Sequence, residues 1–252
     1  MPPPALLRVS ALLLLAATAL ALRANPPAAR EVPAEDALLL LLDGNRRFVA
    51  GEAVHFQQDA LRRHVTAQEG QKPFAVVLTC SDSRVPPELV FDQGIGCLFV
   101  VRVAGNVART DEVATVEYGV GHLGARLVLV LGHTRCGAVT AVVEAAHVGP
   151  NLAQLVEPIA PAAARARVAH PELSGAPLVE AAVRANVEQT IADLLRLSPE
   201  LAHAVELGGT RLVGAIYDLE TGAVQLLDST GPAPVENPAD WAPRPSPAPH
   251  AH

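Results

Sequence analysis

Two apolar runs in the sequence each lead into polar residues that can bind a metal ion. Residues 74–79 precede Cys-Ser-Asp-Ser-Arg at 80–84, and residues 127–131 precede, after one glycine, His-Thr-Arg-Cys at 133–136. Both runs have the length and composition of strands buried on both faces of a parallel sheet. Because ligands of open α/β sheets bind outside the carboxyl ends of the strands, the two polar segments are expected to meet at one edge.

Three side chains in these segments are ligands that zinc prefers. Cys80 lies at the end of the first predicted strand, and His133 and Cys136 lie at the end of the other. Three protein ligands with a fourth coordination position left open are typical of catalytic zinc sites. The sequence therefore predicts a catalytic zinc site formed by two thiolates and one imidazole, with one zinc ion per chain.

The rest of the sequence alternates strands with helices. A strand is expected over residues 98–103, a long amphipathic helix over 178–197, and two final strands over 210–216 and 223–227. This alternation predicts an α/β domain with a central, mostly parallel β-sheet flanked by helices. A leucine-rich helix over residues 34–49 is expected to form an N-terminal helical arm, because apolar residues on several of its faces indicate burial on more than one side.

One segment is expected to interrupt this alternation. Residues 149–177 contain five prolines, at positions 150, 158, 161, 171 and 177. Proline removes a backbone donor and ends most helices and strands. The segment is therefore predicted to break the pattern of regular elements before the long helix begins.

The two ends of the chain are expected to lie outside the folded domain, which is predicted to cover residues 34–231. Residues 1–22 resemble a secretory signal peptide, with one arginine, an apolar stretch of about 14 residues and an Ala-Leu-Ala cleavage site. A spanning helix needs about 20 apolar residues, so cleavage and export to the periplasm are predicted, with an uncleaved membrane tether as the alternative. Residues 23–33 are interpreted as a linker, and residues 232–252 as a Pro-rich disordered tail.

Charge and cysteine content exclude some classes of protein. A net charge of −7 argues against nucleic acid as the main partner. The three cysteines are an odd number in a large domain, which argues against a disulfide framework. Once Cys80 and Cys136 are assigned to zinc, Cys97 is left over and is interpreted as a small buried hydrophobic residue.

The two metal-binding segments together resemble the signature of the β-class carbonic anhydrases. The resemblance rests on Cys80-x-Asp82-x-Arg84 followed much later by His133-x-x-Cys136. The neighbouring segments that agree are Phe-Val-Val-Arg at 99–102, Ala-Gly-Asn at 104–106 and Glu-Tyr at 117–118. The match extends over nearly the whole predicted domain.

The resemblance implies a zinc lyase that catalyses the reversible hydration of carbon dioxide to bicarbonate and a proton, in which a zinc-bound hydroxide attacks the carbon. Asp82 is expected to orient that hydroxide, because a carboxylate only accepts hydrogen bonds. Arg84 is expected to pair bidentately with Asp82 and hold it in place. The alternative interpretation of this pair is a surface salt bridge that contributes little.

The resemblance also implies an apolar pocket for carbon dioxide with one hydrogen-bond donor. Phe99, Ala104 and Tyr118 match positions that line such a pocket, and Gln71 matches a position whose amide donates to the substrate oxygen. Structural roles remain open for three of these residues: Phe99 in the strand core, Tyr118 in helix packing and Gln71 in a loop.

In the resembling family the N-terminal helices embrace a partner subunit, so a homodimer or homotetramer is expected. The alternative is that the helix over residues 34–49 only caps its own domain.

The resemblance also bears on inhibition by bicarbonate. Family members that bicarbonate switches off carry a tryptophan where this chain has Val77. The site is therefore expected to be open and active near neutral pH.

Three other functions stay open at the level of the sequence. Close relatives of this fold hydrolyse carbonyl sulfide or carbon disulfide, and access to the pocket decides between these substrates. A thiol–disulfide protein would bond Cys80 to Cys136 but would give the other motif residues no role. A non-catalytic zinc-binding protein would not need the Asp82–Arg84 pair beside an open coordination position.

Overall fold

The computed structural model describes residues 32–227, and the statements below concern that part of the chain. The predicted signal peptide at 1–22, most of the linker at 23–33 and the predicted tail at 232–252 lie outside the described residues. These three assignments therefore stay predictions.

A five-stranded sheet forms the centre of the domain, in the order β2-β1-β3-β4-β5. The first four strands run parallel, and the last pairs antiparallel with its neighbour. This confirms the predicted α/β fold with a mostly parallel sheet. The strands are β1 (Ala75–Thr79), β2 (Leu98–Arg102), β3 (Leu127–His133), β4 (Arg211–Tyr217) and β5 (Val224–Leu226).

Helices flank the sheet and connect its strands. Short 3₁₀ turns lie at Ala104–Asn106 and Glu157–Ile159, and a π-helical turn at Tyr118–His122 continues one of the helices. The α-helices are α1 (Ala34–Ala50), α2 (Ala60–Glu69), α3 (Pro87–Val90), α4 (Thr110–Glu117), α5 (Gly137–Val143), α6 (Pro150–Val156), α7 (Ala160–Ala169), α8 (Gly175–Leu197) and α9 (Pro199–Glu206).

The chain changes direction across the sheet at β1. From β1 it crosses to β2 on one side, then returns past β1 to form β3 on the other side. The crevice at such a switch point, outside the carboxyl ends of the strands, is where open α/β sheets bind ligands. Cys80 follows β1, and His133 ends β3, so this topology places them on either side of the crevice.

Each face of the sheet has its own apolar core, because side chains alternate along each strand. Val76 and Leu78 of β1 face one core, and Ala75 and Val77 face the other. α8 packs on the first face. It can approach β3 closely because Gly132 lacks a side chain: a Cβ there would lie 2.7 Å from a methyl carbon of Val187.

The N-terminal helix α1 packs on the second face of its own domain. Leu38 and Leu41 are fully buried in that core, while Leu39 and Leu40 remain exposed. Asn45 fixes the end of the helix, since its amide nitrogen donates to the Val90 carbonyl at 3.1 Å and also to the loop before β5. The helix therefore caps its own domain and still presents apolar side chains outward.

The prediction that residues 149–177 break the regular pattern was wrong. The segment contains α6, a 3₁₀ turn and α7, and α8 begins at Gly175. Pro150, Pro158 and Pro161 each lie in the first turn of one of these elements. A proline at that position lacks only an amide hydrogen that the helix does not use, so it starts helices rather than ending them.

Other element boundaries differ from the expectations by a few residues. β3 extends to His133, so the predicted metal ligand belongs to the strand itself. α9 was not predicted from the sequence. Within residues 32–227, no helix combines the length and the apolar character needed to cross a membrane.

Candidate metal centre

The three predicted metal ligands come together at the switch point of the sheet. The Sγ atoms of Cys80 and Cys136 and a ring nitrogen of His133 all lie within 4.8 Å of one another. All three residues are buried, His133 completely. Two thiols and one imidazole in this arrangement can hold one small cation.

A backbone reversal brings both ligands of the second segment to the same point. Between His133 and Cys136, Arg135 adopts a left-handed conformation with φ of 55°. This conformation is uncommon for a residue with a side chain and needs support from its surroundings. The Arg135 amide donates to Glu180 at 3.0 Å, and its guanidinium pairs with Glu220 at 2.7 Å, so α8 and the β4–β5 turn hold the reversal in place.

The hydrogen bonding of His133 leaves one ring nitrogen available for a metal. Nδ1 lies 2.9 Å from the Thr134 carbonyl, which only accepts, so Nδ1 carries the hydrogen and donates it. Nε2 then holds the lone pair and, although fully buried, has no hydrogen-bond partner among the described residues. Leaving such an acceptor unsatisfied is costly, and a bound cation would satisfy it. His133 is also the one buried histidine in residues 32–227.

The two thiols differ in acidity. A hydrogen bond from Cys136 lowers the pKa of Cys80 against the opposing effect of burial, and the Gly105 amide lowers it further. The hydrogen bond to Cys80, together with burial, raises the pKa of Cys136. The hydrogen bond between the two sulfur atoms therefore favours one thiolate and opposes a second. A second thiolate beside the first needs a positive charge, which a divalent cation supplies.

Asp82 and Arg84 form a bidentate pair next to the thiols. Arg84 Nε donates to Oδ1 at 2.9 Å and Nη2 donates to Oδ2 at 2.7 Å, while the Arg84 backbone amide also donates to Oδ1 at 2.9 Å. The hydrogen bonds from Arg84 hold the pKa of Asp82 well below its usual range. The carboxylate is thus ionised and fixed in orientation, and its Oδ2 lies 3.9 Å from Nε2 of His133.

Arg102 supports the loop that carries Cys80 and Asp82. Its Nε donates to the Cys80 carbonyl at 3.1 Å, and its Nη2 donates to the Asp82 carbonyl at 2.6 Å. Arg102 is the last residue of β2, the strand next to β1. An arginine at the carboxyl end of the neighbouring strand was the available sequence signal for this role.

The turn after β2 also reaches the metal ligands. Ala104 and Gly105 lie in the 3₁₀ turn Ala104–Asn106, and the Gly105 amide donates to Sγ of Cys80 at 3.3 Å. Ala104 therefore lies next to the metal ligands within the same chain. Sequence reasoning singled out Ala104 but missed the contact of its neighbour with the thiol.

Phe99 and Tyr118 contact each other but lie away from the thiols of their own chain. Their ring centroids are 5.9 Å apart, and Tyr118 also stacks near His122 at 5.1 Å. Phe99 pairs in register with Val76, four residues before Cys80. At a rise of about 3.3 Å per residue, that places Phe99 about 13 Å from the metal ligands along the sheet.

Gln71 also lies at the opposite end of the sheet from the metal ligands. It is exposed, precedes β1 and approaches Gly96, just before β2 begins. Within one chain the structure thus brings Ala104 to the metal centre but not Gln71, Phe99 or Tyr118. The substrate-binding role of these four residues stays a prediction.

Comparison with known proteins agrees with this geometry. A family model described as carbonic anhydrase matches residues 75–224. A carbonic anhydrase of Mycolicibacterium smegmatis is 38% identical over 195 residues, which cover 76% of this chain and 92% of that relative. Carbonic anhydrase 2 of Mycobacterium tuberculosis is 37% identical, with coverage of 76% and 91%.

Solved structures give the same result. The β-carbonic anhydrase CafA of Aspergillus fumigatus superimposes with a TM-score of 0.62 at 27% identity, over 78% of this chain and 93% of that one. The β-carbonic anhydrase CcaA superimposes with a TM-score of 0.60 at 29% identity, over 76% and 87%. The chain belongs to the β-carbonic anhydrase family.

Proposed function

We propose that this chain catalyses the reversible hydration of carbon dioxide to bicarbonate and a proton, at a zinc ion held by Cys80, His133 and Cys136. The observation that carries this proposal is the convergence of two thiols with a buried, unpartnered imidazole nitrogen. Membership of the carbonic anhydrase family supports the choice of reaction.

The donor set fits zinc better than the common alternatives. Thiolate and imidazole ligands favour zinc, whereas magnesium and calcium prefer oxygen ligands. The hydrogen bond from His133 to Thr134 fixes the ring orientation in the way that metal-binding histidines require. Bound zinc supplies a Lewis acid that makes water acidic enough to act as a nucleophile near neutral pH.

Asp82 orients the water that attacks carbon dioxide. As an ionised carboxylate it can only accept, so the attacking water must turn a hydrogen toward Asp82 and an oxygen lone pair toward the substrate carbon. Three hydrogen bonds from Arg84 fix the orientation of the Asp82 carboxylate. Arg84 thereby also keeps the carboxylate from turning inward to become a metal ligand.

The reaction balances without any further reactant. Water adds to carbon dioxide through one new carbon–oxygen bond, one carbon–oxygen double bond becomes single, and a proton leaves to solvent. Ala104 is small and apolar beside the thiols, which leaves space for an uncharged substrate.

We further propose that a second copy of this chain completes the substrate pocket. Phe99 and Tyr118 form one aromatic contact far from the thiols of their own chain, and Gln71 lies at that same distant end. A two-fold partner that docks this end against the metal centre would supply all three residues in trans. Homodimers with two-fold symmetry are the commonest oligomers.

An exposed apolar surface supports the presence of this partner. Leu39 and Leu40 of α1 are 40% and 43% exposed, and Phe56 and Leu61 are 38% and 70% exposed. The segment 93–96 links these regions. The side-chain amide of Gln93 donates to the Leu40 carbonyl. Gly94 approaches the backbone of Phe56, and Gly96 approaches Gln71. Soluble chains seldom leave such a surface uncovered.

We also propose that the protein is exported, with the signal peptide at 1–22 removed. The proposal is supported by the charged start, the apolar stretch and the Ala-Leu-Ala site. Expression of the full chain followed by cell fractionation and N-terminal sequencing tests it. A mature protein that begins at Met1 in the cytoplasm would overturn it.

Zinc content and carbon dioxide hydration of the full chain, measured together, test the proposed reaction. We expect about one zinc per chain and fast hydration in a stopped-flow assay with a pH indicator. Zinc without hydration would point to carbonyl sulfide or carbon disulfide as the substrate. Absence of zinc with Cys80 and Cys136 oxidised would favour a thiol–disulfide protein.

A further inference from the structure

Two polar side chains interrupt the apolar face of α8. Asn186 and Thr190 are 1% and 2% exposed, and they lie four residues apart on the same face of the helix. Their neighbours on this face, Val183, Val187 and Leu194, are apolar and buried. Polar groups are buried in such a place only where they have specific partners.

Both side chains bind the backbone of one turn. Asn186 Nδ2 donates to the Gly105 carbonyl at 2.7 Å, and Thr190 Oγ1 donates to the Asn106 carbonyl at 3.0 Å. These residues are more than 80 positions apart in sequence. α8 thus holds the turn Ala104–Asn106 from the far side of the core.

The turn needs this support because of its conformation. Gly105 and Asn106 both have positive φ, at 75° and 46°. Gly105 is also enclosed, since a Cβ on it would lie 2.6 Å from a methyl carbon of Ile159. Glycine adopts this conformation without strain, but Asn106 holds it at a cost that the surrounding structure must offset.

The turn Ala104–Asn106 also contacts Cys80, one of the proposed zinc ligands. The Gly105 amide donates to Sγ of Cys80 at 3.3 Å. The carbonyl of the same residue accepts from Asn186 of α8, so α8 limits the orientation of Gly105. A hydrogen bond to a ligating thiolate withdraws charge from the sulfur and orients it, and such contacts tune metal affinity. The chain of contacts therefore runs from α8 through the turn to Cys80.

The side chain amide of Asn186 has one bonded atom and one unbonded atom. Its Oδ1 is buried without a partner among the described residues, which costs free energy. An apolar side chain of similar volume would avoid that cost but would leave the buried Gly105 carbonyl without its donor. The asparagine is therefore better explained by what its amide nitrogen does to the turn.

We propose that Asn186 and Thr190 are positioning residues of the metal centre, which aim the Gly105 amide at the Cys80 thiolate. This inference rests on the proposed zinc site. Its readouts are metal affinity and the spectrum of the cobalt-substituted protein, in which thiolate-to-cobalt absorption reports the charge on sulfur.

Thr190→Val and Thr190→Ser form the central pair of variants, because valine has the shape of threonine without the hydroxyl and serine keeps it. For Thr190→Val and Asn186→Leu we expect zinc to dissociate about 10- to 100-fold more readily, as measured by competition with a chelator. The thiolate-to-cobalt absorption is expected to move to longer wavelength. Thr190→Ser is expected to behave like the parent chain.

Ser198→Ala is the matched control, since Ser198 is also buried and also bonds the backbone, accepting from the Leu201 amide at 3.0 Å, but it follows the end of α8, beyond both Asn186 and Thr190. It is expected to lower the melting temperature of the metal-free protein without moving the zinc affinity or the spectrum. If Thr190→Val and Asn186→Leu behave like this control, their role is structural and the inference is wrong. If Thr190→Ser matches Thr190→Val, the hydroxyl is not responsible and the inference is again wrong.

The same measurements separate this inference from the proposed function. A parent chain that binds neither zinc nor cobalt would overturn the metal site and this inference with it. A parent chain that binds both, with variants indistinguishable from it, would leave the metal site intact and overturn only the role of α8.

Discussion

Oδ2 of Asp82 lies 3.9 Å from Nε2 of His133, so the carboxylate stands beside the imidazole nitrogen but too far away for a hydrogen bond. Arg84 holds the carboxylate on one side, and Thr134 holds the imidazole on the other. The gap between the two groups is therefore set by partners outside it. A cation held by Cys80, His133 and Cys136 would thus have an ionised carboxylate beside it that can accept a hydrogen bond from water.

Cys136→Ser is predicted to lose zinc and activity together, because a serine hydroxyl is a far weaker zinc ligand than a thiolate. The loss of zinc affinity should exceed the roughly 10- to 100-fold typical of losing a supporting contact. Metal analysis and the hydration assay on the same sample check this. Cys97→Ser is the control: Cys97 is also buried, but it donates to Gln57 instead of joining the metal group, so zinc should be retained. Zinc bound equally by both variants would show that Cys136 is not a ligand.

Asp82→Asn is predicted to keep its zinc and lose activity by about 10²- to 10⁴-fold. An amide can donate toward the attacking water and so orient it wrongly, while none of the three metal ligands is changed. Zinc content together with kcat/KM measures the two effects separately. Asp43→Asn removes a carboxylate that pairs with an arginine on the surface of α1, and it should leave both quantities unchanged. Full activity in Asp82→Asn would mean that another group orients the nucleophile.

Removal of zinc is predicted to lower the thermal stability of the domain. At a free zinc concentration about 1,000 times the dissociation constant, binding to the folded state contributes about 4 kcal/mol. For a domain of this size each kcal/mol corresponds to about 2–4 °C, so the melting temperature should fall by about 8–16 °C. Calorimetry before and after dialysis against a chelator measures this, with magnesium as the metal that should not restore it. An unchanged melting temperature would argue against specific zinc binding.

Asp92→Asn is predicted to destabilise the fold at neutral pH and to matter less in acid. Burial alone would raise the pKa of Asp92, but hydrogen bonds from Arg47, Val54 and His55 together lower it. A folded-state pKa below the unfolded value means that the stabilisation is present above about pH 4 and is lost as the pH falls through the folded-state pKa. We expect a loss of about 2–4 kcal/mol at pH 7, since Arg47 remains partly exposed.

Urea unfolding of the parent and of Asp92→Asn at pH 7 and pH 3 measures this difference. The gap between the two proteins should narrow at the lower pH. A gap of equal size at both values would show that the charge of Asp92 is not what stabilises the loop at 54–55. Asp43→Asn again serves as the exposed control and should change stability by no more than about 0.5 kcal/mol.

The double variant Leu39→Glu, Leu40→Glu is predicted to yield a monomer that binds zinc but has lost most of its activity. Each leucine buried at an interface contributes about 1.5–3 kcal/mol, so losing two from each copy should weaken the dimer more than 100-fold. Light scattering after gel filtration gives the oligomeric state. Val168→Glu changes an apolar residue on α7 that is 82% exposed and should have no effect. A fully active monomer would show that no residue of a second copy is needed.

The convergence of Cys80, His133 and Cys136 could be predicted from sequence because all three lie at or after the carboxyl ends of apolar strands. Parallel neighbours end at the same edge, so Cys80 and His133 had to lie close together once β1 and β3 were recognised. The helices between 149 and 177 could not be predicted by the same means. A proline stops a helix in its middle and starts one in its first turn, and the sequence does not say which turn a proline will occupy.

Long-range contacts were the other part that sequence could not supply. Nothing around Asn186 indicates that its amide reaches Gly105, because that contact depends on how α8 crosses the sheet. Likewise, the motif assigned Phe99 and Gln71 to the substrate pocket. It did not indicate that both residues lie at the end of the sheet opposite the thiols of their own chain. Both cases depend on tertiary packing instead of on local pattern.

The ligands from β1 and β3 are separated by about 50 residues of intervening chain. A cation bound to both segments would therefore close a long loop. It would act as a cross-link in a protein whose three cysteines form no disulfides. A covalent cross-link across a loop of that length stabilises a fold by about 4 kcal/mol, chiefly by restricting the unfolded chain. Zinc bound at this site would therefore also hold together β1 and β3, two neighbouring strands of the sheet.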